Sequence, residues 1–458
     1  MTYIFPIIPY VIALTLVLSS SAALAQEEFS VWLEDIRQEA LASGISDKTS
    51  TAAINHIEFI PDVVALDRAQ PEFISPFLDY YYKRVDANKI QKGRELIAEH
   101  YELLSQIEAQ YGVPKALLIA FWGMETQYGS YQGDVDTLSA LATLAYEGRR
   151  ADFFRDQLFD AMRMIEAGQA DMNEFRGSWA GAFGNMQFMP ATFILYAVDG
   201  DEDGKIDVVN SLPDAFASAA SYLSQVGWRI GEPTMIEVHL PENFDWKSAQ
   251  ITVRKPVEEW SRLGVRALRA DADSAVATSN VALNKQSQHK KTKVRLKAGN
   301  KKSLIHKIAY KTRQGKSKPG ATETINLDSA ALNVDASASI LLPQGWRGPA
   351  FMVFDNFDVV MDWNRSVNYA LSVVQLAKRL KHESRLIGGQ FAEEGALTFQ
   401  EMFELQSILN ARGFDAGEPD GLPGLQTQAA VRAYQLMHQL PSDGYASPSL
   451  HQRLFTEP

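Results

Sequence analysis

The 458-residue sequence carries 44 Lys+Arg against 56 Asp+Glu, a formal net charge of −12, and is long enough for about three structural units. At 46% hydrophobic and 22% charged residues it lies in the globular range rather than the disordered one. Cysteine is absent, which excludes disulfides, thiolate metal sites and a cysteine nucleophile, and the eight His show no HExxH or paired ligand spacing, which argues against a zinc enzyme.

The chain begins with an apolar run from Ile4 to Leu18, followed by Ser19-Ser20-Ser21 and Ala23-Leu24-Ala25 before the charged Glu27 and Glu28. Small residues at 23 and 25 suit signal peptidase, so residues 1–25 read as an export signal, although no Lys or Arg precedes the run. A membrane anchor is the alternative, but the run is shorter than the roughly 20 residues that span a bilayer. An exported, periplasmic protein is expected.

From Phe29 to Ala170 apolar residues recur at helical spacing, as in Trp32, Ile36 and Ala40 and again in Leu96, Tyr101, Leu104 and Ile107. Pro114 opens a stretch, Lys115 to Met124, that is apolar on nearly every face and therefore predicts a buried helix. Glu125 ends it. Burial and the negative end of the helix dipole both raise a carboxyl pKa there, and a proton held near neutral pH makes a general acid. The competing reading pairs Glu125 with Arg149 or Arg150 in a buried ion pair.

The run Gly177 to Pro190 mixes small and polar residues and predicts a ligand-contacting loop, with Ser178 and Gln187 offering a hydroxyl and an amide. Asp199, Asp201, Asp203 and Asp207 then occupy positions 1, 3, 5 and 9 of an EF-hand-like loop, with Gly204 at position 6 and Lys205 at position 7. Asn210 stands where the closing bidentate carboxylate belongs. Two readings stay open: a calcium loop of structural role, or a solvated acidic turn.

After Trp228 the texture alternates as strands do, at Met235–Leu240 and Gln250–Val253. Ala270 to Ala330 is poor in aromatics and reads as a weakly ordered insertion; within it Asn284 to Pro319 holds thirteen Lys/Arg and no Asp/Glu. That block leaves the rest of the chain strongly acidic, so nucleic acid is not an expected partner. An anionic envelope surface is the partner the 284–319 segment would suit. Folded texture resumes at Ala338, Ser384 to Ala396 reads as a linker, and a compact unit of two or more helices follows.

Several motifs in order, Glu125-Thr126-Gln127-Tyr128-Gly129, then Gly177 to Pro190 ending Gln187-Phe188-Met189-Pro190, Gly348-Pro349-Ala350-Phe351 and Trp363 to Ala370, resemble the B-type lytic murein transglycosylases. The resemblance implies an α+β, mainly α fold: a lysozyme-like catalytic lobe with a small β subdomain over residues 26–383, interrupted at about 270–330. It implies peptidoglycan as substrate, with Glu125 cleaving the β-1,4 bond between N-acetylmuramic acid and N-acetylglucosamine while the muramyl 6-hydroxyl closes a 1,6-anhydro ring, for cell-wall turnover. It also places Ser178, Gln187, Tyr222, Trp363, Asn364 and Tyr369 along a glycan groove and makes Asp214 the closing ligand of a calcium set with Asp199, Asp201, Asp203 and Lys205. No organic cofactor is expected, and a monomer is.

The last unit, 397–456, carries Leu405-Gln406, Gly413-Phe414, Pro419-Asp420-Gly421 and Tyr434-Gln435 in an order that resembles the peptidoglycan-binding domain 1 family, a three-helix wall anchor joined through residues 384–396. Tethering of this kind raises effective concentration at an insoluble substrate. The alternatives to a lytic transglycosylase are a hydrolytic muramidase using the same Glu125, and a non-catalytic peptidoglycan-binding scaffold.

Overall fold

The computed structural model describes residues 28–68, 75–270, 322–327, 333, 335–392 and 395–456. The expected export signal and the basic 284–319 segment lie outside the described residues. No helix among the described residues is long and apolar enough to cross a membrane.

The first lobe is helical, and its helices start where side chains satisfy the free N–H groups of a first turn. Ser46 caps Asp47–His56 by accepting from Thr49 N, Asp86 caps Ala87–Glu99 by accepting from Lys89 N, and Asp136 caps Thr137–Glu147 by accepting from Ser139 N. At the centre stands Lys115–Glu125, in which every residue from Ala116 to Met124 is buried. It packs against Val367–Leu380 on one side and Ala87–Glu99 on another. A helix buried all round needs apolar residues on every face, and the sequence supplies them.

The remaining strands form a two-stranded ribbon, β1 (Val135–Asp136) with β2 (Arg176–Gly177), and one six-stranded antiparallel sheet. The sheet contains β3 (Met235–His239), β4 (Lys255–Pro256), β5 (Arg266–Ala270), β6 (Thr322–Ile325), β7 (Ser337–Leu341) and β8 (Ala350–Val353), in the order β4-β7-β8-β3-β5-β6. Strand β8 is buried on both faces because the pleat sends alternate residues to two cores. Phe351 and Val353 join the helical core, whereas Ala350 and Met352 join a second core around Trp260. The Trp260 indole donates to the Ala338 carbonyl at 2.9 Å, which satisfies the polar atom of a fully buried ring.

Three expectations change. Gln250–Val253 is a turn, closed by Val253 N donating to Gln250 O at 3.0 Å, and the pairing strand begins only at Lys255. The flank of the expected 270–330 insertion is folded: Thr322–Ile325 pairs with Arg266–Ala270, and Leu327 is fully buried. Residues 384–392 are a strap laid on the sheet rather than a free linker. Leu386 is buried, and the Glu237 carboxylate of β3 accepts from Ile387 N at 3.0 Å and Gly388 N at 2.6 Å. Burial raises the pKa of Glu237, partly offset by these two amides.

The C-terminal unit is the expected three-helix bundle, Phe399–Ala411, Leu425–Met437 and Pro448–Thr456, around Leu405, Leu409, Val431, Tyr434, Leu450 and Leu454. Its first helix starts in a reciprocal capping box between Thr398 and Glu401.

Gly123 sits inside the central helix because the ring of Tyr128 folds back onto it. A Cβ there would lie 2.6 Å from Tyr128 Cε1, and the ring is pinned by its hydroxyl donating to Lys89 O at 2.8 Å. Alanine normally stabilises a helix interior by about 1 kcal/mol over glycine. Here Gly123→Ala is expected to destabilise by about 1–3 kcal/mol, as overpacking does, read as a lowered midpoint in urea; an unchanged or raised midpoint would refute the packing argument.

Candidate active site

Glu125 is the last residue of the central helix, and the chain behind it turns through three left-handed residues, Gln127 (φ 50°), Tyr128 (φ 62°) and Gly129 (φ 75°). Two non-glycine residues in that region are costly and persist only where their surroundings hold them. Thr126, buried, accepts from Gly129 N at 3.0 Å and donates to the backbone carbonyl of Asn185 at 2.9 Å. Asn185, also buried, accepts from Trp122 Nε1 at 3.0 Å and donates to Val209 O at 2.8 Å. The glycine-rich loop is thereby tied to the end of the helix that carries Glu125.

Two donors from the far end of the sequence converge on one carboxylate oxygen. Trp363 Nε1 donates to Glu125 Oε1 at 2.9 Å, and the Tyr369 hydroxyl donates to the same atom. Tyr369 is 5% exposed; burial first, then the charge and acceptance of Glu125, hold its hydroxyl well above the ordinary tyrosine pKa, so it remains a neutral donor. The Trp363 ring is the node of an aromatic wall, with ring centres 4.5 Å from Phe121, 5.5 Å from Phe188 and 5.3 Å from Tyr222. Tyr222 is buried, its pKa pushed up to about 12 by burial and then by Asp362 and Tyr196.

The other expected groove residues are placed less directly. Ser178 Oγ accepts from Ala182 N at 3.2 Å, and Gln187, itself left-handed at φ 51°, donates from Nε2 to Gln132 O at 2.9 Å and Gly184 O at 3.0 Å. Gly177 is obligatory in this loop, because a Cβ would meet Ala182 O at 2.2 Å. Asn364 Oδ1 accepts from Ser366 N at 3.1 Å and shapes the turn between Asp355–Trp363 and Val367–Leu380. The proposed ion pair of Glu125 with Arg149 or Arg150 does not form: both guanidiniums bind the buried Asp67 carboxylate, Arg149 Nε at 2.7 Å and Arg150 at 2.5 Å. Sequence reasoning missed Thr126 and Asn185, although both sit inside the quoted motifs; a short polar residue among glycines and apolar neighbours is the signal that would have found them.

In the acidic loop, carboxylate oxygens of Asp199, Asp201 and Asp203 lie within 4.8 Å of one another. The turn is organised by Asp199, which accepts from Asp203 N at 3.2 Å and Gly204 N at 2.8 Å. Lys205 N donates to Asp203 Oδ1 at 2.8 Å. Asp214, 1% exposed, takes Gly200 N at 2.7 Å and Asp207 N at 2.6 Å on its two oxygens. It clamps the loop onto the helix Leu212–Gln225, and with both oxygens taken by backbone amides it lies, like Lys205, outside the converging set of Asp199, Asp201 and Asp203 that the resemblance would have it complete. Three converging carboxylates are a donor set that fits a hard cation such as calcium.

Residues 28–295 and 284–378 match the family of the transglycosylase SLT domain, and residues 400–454 match the peptidoglycan binding domain. The chain is 37% identical to SltB3 from Pseudomonas aeruginosa, solved in complex with NAG-anhNAM-pentapeptide, over 93% of this chain and 99% of that one, with a TM-score of 0.74. It is 33% identical over 177 residues to the membrane-bound lytic murein transglycosylase B of Escherichia coli strain K12, which covers 37% of this chain and about half, 49%, of that relative. The Escherichia coli lytic transglycosylase Slt35, solved in complex with calcium, shares the fold at 21% identity and a TM-score of 0.56, over 76% of this chain and 92% of that one. The family match over residues 28–378, more than half of the sequence, shows that the chain belongs to the SLT-domain family of lytic transglycosylases, with a peptidoglycan-binding domain at residues 400–454.

Proposed function

We propose that the protein is an exported murein transglycosylase that cleaves the β-1,4 bond between N-acetylmuramic acid and N-acetylglucosamine and leaves 1,6-anhydro-muramic acid ends, in turnover of the wall. The observation that carries the reading is the Glu125 carboxyl, held by Trp363 and Tyr369, with the half-buried Trp363 ring backed by the buried rings of Phe121, Phe188 and Tyr222. Glu125 gives its proton to the glycosidic oxygen as the bond from that oxygen to the muramyl anomeric carbon breaks. It then takes the proton of the muramyl 6-hydroxyl as that oxygen bonds to the same carbon, so the acid is regenerated and no water is consumed. Tyr369 and Trp363 act as positioning residues, because two donors on Oε1 leave the carboxyl little rotational freedom.

Asp199, Asp201 and Asp203 would hold a calcium ion, with Asp214 clamping the loop around it; bound there, the ion would offset most of the charge of the three carboxylates and stiffen the loop that contacts Asn185 through Val208 O, at 3.0 Å from Asn185 N. The C-terminal domain holds the enzyme on peptidoglycan, and the basic 284–319 segment suits anionic envelope surfaces.

Glu125→Gln keeps the volume but cannot give and retrieve a proton. It is expected to lower lysis of purified sacculi by at least about 100-fold, the lower end of general acid–base effects, with an unchanged circular dichroism spectrum; a variant retaining more than about a tenth of the turnover would refute the single-acid mechanism.

Tyr369→Phe removes no ring, only a hydrogen bond that becomes charge-assisted as Glu125 gives up its proton in the transition state. Turnover is expected to fall about tenfold with KM little changed, the size of one hydrogen bond to an ionised group. Equal turnover in the two proteins would remove Tyr369 from the positioning role.

Chelation is expected to lower the melting temperature, and above the dissociation constant the shift should follow the logarithm of free calcium, as for any ligand of the native state alone. Asp201→Asn should abolish that dependence; a melting curve indifferent to added calcium would leave the solvated-turn reading in place.

A further inference from the structure

The C-terminal domain builds one hydrogen-bonded device twice. In the first helix Gln406, buried, accepts from Gly421 N at 2.8 Å and donates to Asp420 Oδ1 at 2.9 Å, and that oxygen also accepts from Leu422 N at 2.9 Å. In the second helix Gln435, buried, accepts from Gly444 N at 2.8 Å and donates to Asp443 Oδ1 at 2.7 Å, and that oxygen accepts from Tyr445 N at 2.9 Å. Both glycines are left-handed, at φ 73° and 77°. Each copy therefore spends Oδ1 on its own loop and leaves Oδ2 to face outward.

The second copy shows what the outward oxygen does. Asp443 Oδ2 accepts the backbone N–H of Trp346, in the catalytic domain, at 2.9 Å, and Asp443 is 7% exposed. Beside it Arg432 donates to Gln250, also in the catalytic domain, at 3.1 Å, and to Asp443 O at 3.2 Å. This copy is a captured amide N–H with a polar collar around it.

The first copy has the same loop and different surroundings. Arg432 stands three residues before Gln435, and the residue three before Gln406 is Phe403; seven residues before, Gln428 corresponds to Phe399. Phe399 and Phe403 are each 39% exposed, and the Phe399 ring covers Gly421 as the Arg432 guanidinium covers Gly444, each within 2.7 Å of where a Cβ would stand. Asp420 is exposed, and no donor to its Oδ2 is found among the described residues. An apolar platform next to an outward carboxylate oxygen suits a sugar face carrying an amide.

We propose that the two copies have divided the work: Asp443 docks the domain on the catalytic domain by capturing the Trp346 amide, and Asp420, with Phe399 and Phe403, captures an amide N–H of peptidoglycan. The assignment rests on the wall-binding role given to this domain above and names the residue and the chemistry that perform it. The amide belongs to an acetamido group of the glycan or to a stem-peptide bond.

The test measures retention on purified sacculi, with Glu125→Gln in every protein so that the wall is not consumed, alongside solution scattering for the seam. In Asp420→Asn an NH2 can face the incoming N–H while Oδ1 keeps its loop bonds, so retention should fall about tenfold, as for one charge-assisted hydrogen bond, with unchanged scattering. Asp443→Asn should do the reverse, enlarging the radius of gyration and leaving retention within about twofold, since its outward face touches no wall. If that variant does not fold, Arg432→Ala opens the seam from outside the loop and carries the same expectation. Wild-type retention in Asp420→Asn, or equal losses in both variants, overturns the division of work. Failure of the parent protein itself to bind sacculi would instead overturn the wall-binding reading. Competition by an N-acetylglucosamine tetramer that disappears in Asp420→Asn assigns the acetamido source, and competition by a stem tetrapeptide assigns the peptide; competition by neither overturns amide capture.

Discussion

A carboxyl at the end of a wholly buried helix is the constraint around which the rest of the molecule is arranged. Glu125 must leave an apolar helix and still be held, and its two named donors come from residues 238 and 244 positions later in the chain. The site therefore does not exist until the helix Val367–Leu380 has docked beside Lys115–Glu125. On the other side, the left-handed turn through Gln127 and Tyr128 carries the strain of stopping the helix there. Asn185, Thr126 and the Tyr128 ring over Gly123 share that strain among buried contacts.

The sheet's part in this is to deliver the late helices. Strand β8 runs straight into Asp355–Trp363, whose Asn356 is fully buried and holds the chain before β3, accepting from Arg229 N at 2.7 Å and donating to the Arg229 and Glu232 carbonyls at 2.8 Å each. Arg254 binds Asp355 and Asp358 on the same helix. Trp363 thus reaches Glu125 from a helix anchored at its opposite end to the β subdomain. The alternation of β8 between two cores couples the helical lobe to that subdomain, so neither core packs fully without the other.

Much of this was legible in the sequence because it is periodic. The apolar stretch from Ala116 to Met124 predicts a buried helix, and the glycine and polar run from Gly177 to Pro190 predicts a loop. What failed did so where a local pattern competes with a tertiary partner. Gln250–Val253 alternates like a strand and turns instead, since the partner strand β7 pairs with Lys255 and Pro256. Residues 384–392 look like a linker in composition, yet Glu237, on a strand far away in sequence, supplies the acceptor that binds their amides. Tyr369 read as a groove residue and lies beneath Glu125 as a donor; nothing in the spacing distinguishes a tyrosine that touches substrate from one that holds the acid. The likeness of Gln406 with Asp420 to Gln435 with Asp443 is hidden in the sequence because the two spacings differ, and only the hydrogen bonds reveal that the two loops are alike.

The central claim is that Glu125 serves a reaction in which the substrate's own 6-hydroxyl, and not water, attacks the anomeric carbon. Digestion of purified sacculi in water enriched in oxygen-18, followed by mass spectrometry of the soluble muropeptides, tests it most directly. The account predicts muramyl ends lighter by one water than hydrolytic ends and free of the heavy isotope, all lost in Glu125→Gln. Reducing muramyl ends that carry one atom of oxygen-18 would contradict it and make the protein a hydrolytic muramidase built on the same carboxyl.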